Sequence, residues 1–393
     1  MRHLAILIET SRAYGRGLLR GIARYNHECG DWSTYFRPQG LGDPAPPWLA
    51  DWQGDGILAR IDNHKLAQSL HRAAVPVVNL RSTVAGLSFP FIGSDNQAIA
   101  KMAADHLIER GFRQFAFCGF RRGFHPKIDE RGDHFEHIIH QAGYTCETLV
   151  DKSQGRRTWE QEQGWLSRWL AKLPKPVAIL AANDDRGLQV LDACRRIGVN
   201  VPDQVAVLGV DNDEYLCGLS LPPLSSIDVN SEETGYRAAK LLDKWMSGTR
   251  PPKRLPEIKP SGVVVRRSTD VLATNDHEVI RAVRFIRENA LRPIHVTDVV
   301  DELSVSRSTL EPRFRGVLGR SMHQEISRVR IERAKALLVE TGLPIKQIAQ
   351  QSGFQSVQYL TRAFHRLTGD TPAAFRNRHH GQGSAPIGLF RRE

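Results

Sequence analysis

IKQIAQQSGFQSVQYLTRAFHRLTGDTPAAFR, residues 345–376, is the most informative segment of the chain. Ile345, Ile348 and Ala349 form a short apolar-periodic pattern that meets a turn at Ser352-Gly353-Phe354. Ser356 is a good N-cap for a second helix. On that helix Val357, Leu360, Phe364 and Leu367 recur at helical spacing and are expected to face a core. Gln358, Thr361, Arg362 and His365 are then left on the opposite face. Gln and Arg can make forked hydrogen bonds to base edges, and Thr can donate, accept or touch a methyl group. An amphipathic helix held by a preceding helix and a tight turn, with such side chains near its N-terminus, is a helix-turn-helix DNA reader. The competing reading of this polar face is simple solvation.

At 393 residues the chain is long enough for two or three domains. A net charge of +11 suits a polyanionic partner. From Asp276 onward 19 lysines and arginines stand against 12 acids, a net +7, whereas the longer preceding part nets +4 from 35 and 31. Positive charge is therefore concentrated beside the helix-turn-helix. Cys29, Cys118, Cys146, Cys194 and Cys217 are scattered without a CxxC pair, which fits reduced thiols in a cytoplasmic protein. Met1-Arg2-His3 runs straight into a strand-like segment, with no signal-peptide pattern, and no apolar stretch is long enough for a bilayer. No membrane association is expected.

Upstream, short apolar runs at residues 4–8, 56–61, 75–80, 89–92, 115–119, 177–182 and 205–210 alternate with amphipathic segments such as 97–110 and 186–197. This alternation predicts an α/β fold of doubly wound parallel sheets, and its length predicts two lobes. In such sheets ligands bind beyond the carboxyl ends of the strands. Polar residues follow several runs there: Glu9-Thr10, Asp62-Asn63, Ser94-Asp95-Asn96, Asn183-Asp184 and Asp211-Asn212-Asp213. Carboxylates and amides that converge on a cleft can accept from and donate to adjacent hydroxyls, which suits a sugar. Helix caps and Asx-turns explain any one of these sites equally well.

Residues 92–119 (IGSDNQAIAKMAADHLIERGFRQFAFCG), residues 178–213 (AILAANDDRGLQVLDACRRIGVNVPDQVAVLGVDND), LPPLSSI at 221–227 and VVVRRST at 263–269 resemble the LacI/GalR family of sugar regulators. The resemblance covers most of residues 1–270. It implies the two-lobed periplasmic-binding-protein-like fold closing on a small molecule, with VVVRRST as the last strand. That family usually carries its DNA-binding headpiece at the N-terminus. Here the first core strand begins at once, so the DNA reader is expected elsewhere.

After a linker at residues 271–275 and a helix at 276–289, HVTDVVDELSVSRSTLEPRFRGVLG (295–319) repeats the helix-turn-helix pattern. Thr297 is read as the cap of a helix ending at Leu303, and Ser306 as the cap of the next, with Leu310, Phe314 and Leu318 inward. A long helix at 323–338 joins the two units. Together they resemble the AraC/XylS DNA-binding domain, on Ile348-Ala349, Gly353-Phe354, Gly369, Thr371-Pro372 and Phe375-Arg376. This gives an all-α domain at 276–380, followed by a tail at 381–393 with no assigned role. By this resemblance the base readers are Ser308, Thr309, Glu311 and Pro312 in the first unit, and Val357, Gln358, Thr361 and Arg362 in the second. Pro312 departs from the usual polar residue and costs about 3 kcal/mol in a helix interior. The expectation is a kink there or a later helix start.

A LacI-type core ahead of an AraC-type reader resembles a pentose-responsive activator, and TSRAYGRGLLRGIARY (10–25) and DERGDHF (129–135) add to the likeness. The resemblance places Tyr14, Arg16, Arg131, Asp184, Asp211 and Asn212 at the effector, D-xylose or a related pentose. It implies a homodimer that binds a double-stranded operator, engages RNA polymerase and activates sugar catabolic genes. Another sugar, repression in place of activation, or a sugar-processing enzyme with an accessory DNA domain are the alternatives. Arg131 would otherwise serve a salt bridge to Glu130 or Asp133, and Tyr14 would be a partly buried surface aromatic.

Other patterns carry less. Gly15-Arg16-Gly17 with Gly21 has the wrong spacing, too far from a strand end, for a dinucleotide loop. His134, His137 and His140 recur every third residue without supporting ligands, so no metal is expected. No GxSxG or HExxH motif is present, and no cofactor or catalytic role is assigned.

Overall fold

The computed structural model describes residues 1–37, 40, 43–84, 86–149, 157–252, 255–270 and 276–380. The expected linker at 271–275 and tail at 381–393 lie outside the described residues. The chain forms two compact units, Met1–Ala273 and Thr274–Glu393.

In the first unit the order is β1 (Arg2–Leu7), α1 (Ala13–Cys29), β2 (Trp32–Phe36), β3 (Gly56–Ala59), α2 (His64–Arg72), β4 (Val77–Asn79), α3 (Asn96–Ile108), β5 (Gln114–Cys118) and α4 (Pro126–Gln141). There follow β6 (Thr145–Thr148), α5 (Trp159–Lys172), β7 (Val177–Ala181), α6 (Asp184–Arg196), β8 (Val205–Val210), α7 (Glu214–Leu219), β9 (Ser225–Asp228), α8 (Ser231–Met246) and β10 (Gly262–Val264). One lobe holds a parallel sheet in the order β2-β1-β3-β4; the other holds β10-β9-β8-β7-β5-β6, parallel except at β10. β7 (VAILA) and β8 (VAVLGV) are buried at every position, as expected of parallel strands covered on both faces. In the second lobe α3 and α4 cover one face and α5 and α6 the other. In the first lobe α8 returns from the second lobe to pack beside α1.

That return explains Gly17 and Gly21 of the first helix. A Cβ on Gly17 would stand 1.9 Å from Ser231 Oγ, and one on Gly21 would stand 1.9 Å from the Glu232 carbonyl oxygen. The glycines are needed for close helix–helix approach.

Several expectations are corrected. Residues 89–92 make only an isolated bridge, Phe91 to Asn79, because Pro90 has no N–H to give a ladder. The last strand stops at Val264, and Arg267–Thr269 forms a 3-10 turn. There Ser268 Oγ donates to the Val207 carbonyl, and Arg110 Nε donates to that of Thr269. β2 and β6 were not foreseen, because each is a partly exposed edge strand without an apolar run. β9 was hidden by its serines, whose hydroxyls bond inside the core.

The second unit contains α9 (His277–Asn289), α10 (Val296–Leu303), α11 (Arg307–Leu318), α12 (Met322–Glu340), α13 (Ile345–Gln351), α14 (Val357–Thr368) and α15 (Pro372–His380). α10 is capped by His295, not Thr297: the His295 N–H donates to Asp298 Oδ2 (2.6 Å), and Val296 in the first turn is buried. Leu367 is 48% exposed; the buried stripe of α14 is Leu360, Ala363 and Phe364, and its last turn runs past the core. α11 continues through Pro312 as one 12-residue helix starting at Arg307, so the later start is not observed. Arg330 on α12 donates to the carbonyls of Ala290, Arg292 and Ile294, tying the end of α9 to the long helix between the two readers.

Candidate functional site

The carboxyl ends of strands from both sheets converge between the lobes, bringing Tyr14 and Arg60 of the first lobe near Asp211 and Arg131 of the second. Asn63, Asp95, Asn183 and Asp213 there cap α2, α3, α6 and α7, so the capping reading holds for these four. Asp211 does something else. It and Asn212 have φ of +108° and +51°, a conformation that L side chains rarely adopt. Three successive N–H groups hold the turn: Asp211 donates to the Ile227 carbonyl (2.9 Å), Asn212 to Ser226 Oγ (3.0 Å) and Asp213 to Asp184 Oδ2 (2.7 Å). The backbone is thus committed to the lobe interior. Among the described residues the Asp211 side chain accepts no hydrogen bond. Burial pushes its carboxyl up, against the pull of the Arg131, Arg60 and Arg12 guanidiniums.

Tyr14 and Arg131 share this space. Burial raises the Tyr14 phenol, which lies near Ser94, Asp211, Thr234 and Arg131. Arg60 stacks over its ring at 5.1 Å. Arg131, 7% exposed, donates from Nε to Asn96 Oδ1 (2.9 Å) and from Nη1 to the Ala182 carbonyl (2.6 Å). Its Nη2 makes no hydrogen bond among the described residues. The neighbouring acids are paired elsewhere, Glu130 with Lys127 and Asp133 with Arg122.

The other three candidates have their polar atoms engaged by the protein. Asp184 is 1% exposed; its carboxylate accepts from Ser226 Oγ (2.5 Å) and the Asp213 N–H, and burial pushes it up to about 8. Asn212 Oδ1 accepts from Arg266 Nη2 (2.9 Å). Arg16 donates to the Thr10 carbonyl (2.9 Å) and to Asp213 Oδ2 (3.3 Å). These residues brace the Asp211 turn and join the lobes. Asp213 Oδ2 also accepts the Ala13 N–H (3.0 Å) at the start of α1, and Arg12 pairs with Asp185 across the same seam.

Sequence reasoning missed Arg60, Arg81 and His125. Arg60 pairs with Glu9, and burial lowers it to about 9. Arg81 Nη2 lies 3.3 Å from His125 Nε2. Burial, then Arg81, Arg60 and Arg12, push His125 down to about 4, so the neutral ring accepts from Arg81. Arg60 and Arg81 follow the ends of β3 and β4 and His125 stands at the start of α4, but only the fold brings these places together. The Asp211 carboxylate supplies an acceptor and the Arg131 guanidinium a donor near one another, a combination that fits vicinal hydroxyls. Among the described residues no group of three or more His, Cys, Asp or Glu side chains is placed to hold a metal ion. None of their helices is long and apolar enough to cross a membrane.

In the second unit α11 and α14 are structural repeats. Each has 12 residues, a serine N-cap (Ser306, Ser356) and a left-handed glycine after its end (Gly319, Gly369). Leu310 and Phe314 are buried as Leu360 and Phe364 are. On α14, Gln358 and Arg362 are exposed; Val357 is half-buried, and the Thr361 hydroxyl donates to the Val357 carbonyl (2.9 Å), which leaves its methyl and lone pairs for a partner. On α11, Ser308, Thr309 and Pro312 are exposed, and Glu311 is half-buried against Arg315 (3.2 Å). Tyr359, also missed, is 65% exposed on the first turn of α14.

Comparisons with known proteins cover both units. Residues 3–97 match the XylR N-terminal domain, 104–269 a periplasmic binding protein-like domain and 299–378 a helix-turn-helix domain. The chain is similar to the xylose operon regulatory protein of Escherichia coli K12, 31% identical over 96% of this chain and 97% of that one. That of Haemophilus influenzae is 33% identical over 95% and 97%. The solved structure of the xylose-binding transcription activator XylR superposes with a TM-score of 0.62, at 30% identity over 96% of this chain and 98% of that one. The CelR–cellobiose complex shares the fold of the first unit, with a TM-score of 0.53 and 24% identity over 68% of this chain and 84% of its own.

Proposed function

The chain belongs to the family of xylose operon regulatory proteins, and on that premise we propose that it activates pentose catabolic genes when D-xylose or a related pentose fills its cleft. The observation that carries this reading is one chain holding two receptive surfaces. One is a cleft where Asp211, Tyr14 and Arg131 meet, and the other is a pair of helix-turn-helix units with exposed polar faces.

We assign residues 1–270 to sensing and 276–380 to DNA binding. In the cleft Asp211 accepts from adjacent hydroxyls, Arg131 Nη2 donates to them, and the Tyr14 ring meets an apolar sugar face. Asp184, Asn212 and Arg16 hold that geometry. At the duplex, Val357, Gln358, Thr361 and Arg362 face one major-groove segment, and Ser308, Thr309, Glu311 and Pro312 the next. The protein acts in the cytoplasm as a homodimer that engages RNA polymerase; its role is regulation, not catalysis. Switching requires the sugar to bind the DNA-competent state more tightly than the other.

Titration calorimetry of the full chain against pentoses and hexoses, followed by operator binding with and without the sugar that binds, tests this. Binding of a pentose that changes operator affinity is the expected result. Failure of every sugar to bind removes the sensor assignment, and turnover of a sugar to product would mark an enzyme.

A further inference from the structure

The repeat relation between α11 and α14 allows the two readers to be compared position by position, at an offset of 50 residues set by their serine caps (306 to 356). Ser308 corresponds to Gln358, Thr309 to Tyr359, Glu311 to Thr361, Pro312 to Arg362 and Arg315 to His365. Where the second unit has two side chains able to fork onto a base edge, the first has a short hydroxyl and a ring with no donor. The other polar reader positions of α11 carry bonds within the unit, although Glu311 Oε2 is buried without a hydrogen-bond partner among the described residues. Ser306 Oγ bonds both Ser308 Oγ (2.9 Å) and Thr309 Oγ1 (2.8 Å), and Glu311 is held by Arg315. Arg313 donates to both carboxylate oxygens of Asp276, the cap of α9.

On α14 the side chains of Gln358, Tyr359, Arg362 and His365 are exposed and make no hydrogen bond among the described residues. An aromatic ring 65% exposed on the first turn of a helix is poorly placed for folding alone. It lies beside Gln358, where the base edges are met. We propose that discrimination between DNA sequences resides in the second unit, with Tyr359 as a specificity-determining residue beside Gln358 and Arg362. The first unit grips the duplex through its backbone, using exposed Arg307 and Arg315. Tyr359 contributes a flat apolar face to a thymine methyl and a hydroxyl to the groove wall.

This rests on the DNA-binding reading, and the test separates the two. Full-length protein is used to select duplexes from a randomised library, and the selected consensus is assayed with variants of unchanged helical content. The expected result is one block of strong base preference per protomer. Tyr359→Ala should lower the preference for that block over a scrambled one by about 10-fold or more. Arg307→Ala should flatten the salt dependence of binding without changing the preference. Pro312→Arg should create a second block one helical turn away. Two equally strong blocks from the unaltered protein, or a block indifferent to Tyr359→Ala, overturn the inference while DNA binding stands. No enrichment of any duplex removes the DNA-binding reading, and this inference with it.

Discussion

Glu325→Gln is expected to destabilise the helical unit and leave the two-lobed unit unchanged. Glu325, at the start of α12, is 0% exposed. Its carboxylate accepts from Arg328 through Nε (2.9 Å) and Nη2 (2.7 Å), and from Arg320 Nε (2.6 Å) in the turn after α11. Burial alone would push this carboxyl up; the two guanidiniums outweigh it and hold it at about 2, against 4.5 for a free glutamate. That difference is worth about 3 kcal/mol at neutral pH. Arg320 and Arg328 are 20% and 28% exposed, so water screens part of it and about 2–3 kcal/mol is expected. Because the folded value lies below the unfolded one, the stabilisation is complete above pH 4.5 and is lost as the pH falls toward 2.

The assay follows from composition. All seven tryptophans, Trp32 to Trp245, lie in the first unit, so their fluorescence reports that unit while far-UV circular dichroism reports helices of both. In urea titrations the variant should lower the dichroism-detected midpoint of the helical unit by roughly 1–2 M and leave the fluorescence midpoint in place. A helical transition within about 0.5 kcal/mol of the unaltered protein, or no loss of its stability between pH 4.5 and 2, would refute the charge-pair argument.

Gly21→Ala puts a Cβ against the Glu232 carbonyl, a backbone atom that cannot swing aside; it should cost the two-lobed unit about 1–3 kcal/mol, read by tryptophan fluorescence in urea. Arg131→Ala should weaken effector binding by about 1.5–3 kcal/mol in calorimetry, and lysine, which lacks the planar fork, should not restore it. Pro312→Ala returns an N–H to the middle of α11 and should raise the stability of the helical unit by about 1–3 kcal/mol, measured by dichroism.

The central strands β7 and β8 and the buried stripes of α11 and α14 were legible because each repeats one kind of side chain at a fixed period. Edge strands β2 and β6, and β9 with its buried serines, carry no such period. Their pairing is decided by neighbours far along the chain. The same limit applied to the cleft. Tyr14, Arg131 and Asp211 could be named from local resemblance, but Arg60, Arg81 and His125 come from two strand ends and a helix start that meet only when both lobes are assembled.

By itself the sequence determined the class of each unit, the position of the DNA reader after the sensor and the caps at Ser306 and Ser356. All of these depend on residues within a few turns of one another. Only the tertiary structure decided that Asp184 is buried, that the Asp211 turn is held in a left-handed conformation, and that Gly17 and Gly21 of α1 serve a helix more than 200 residues away. The physical reason is that burial, electrostatic neighbours and close backbone approach belong to the space between segments, and a linear pattern records only what each segment prefers alone.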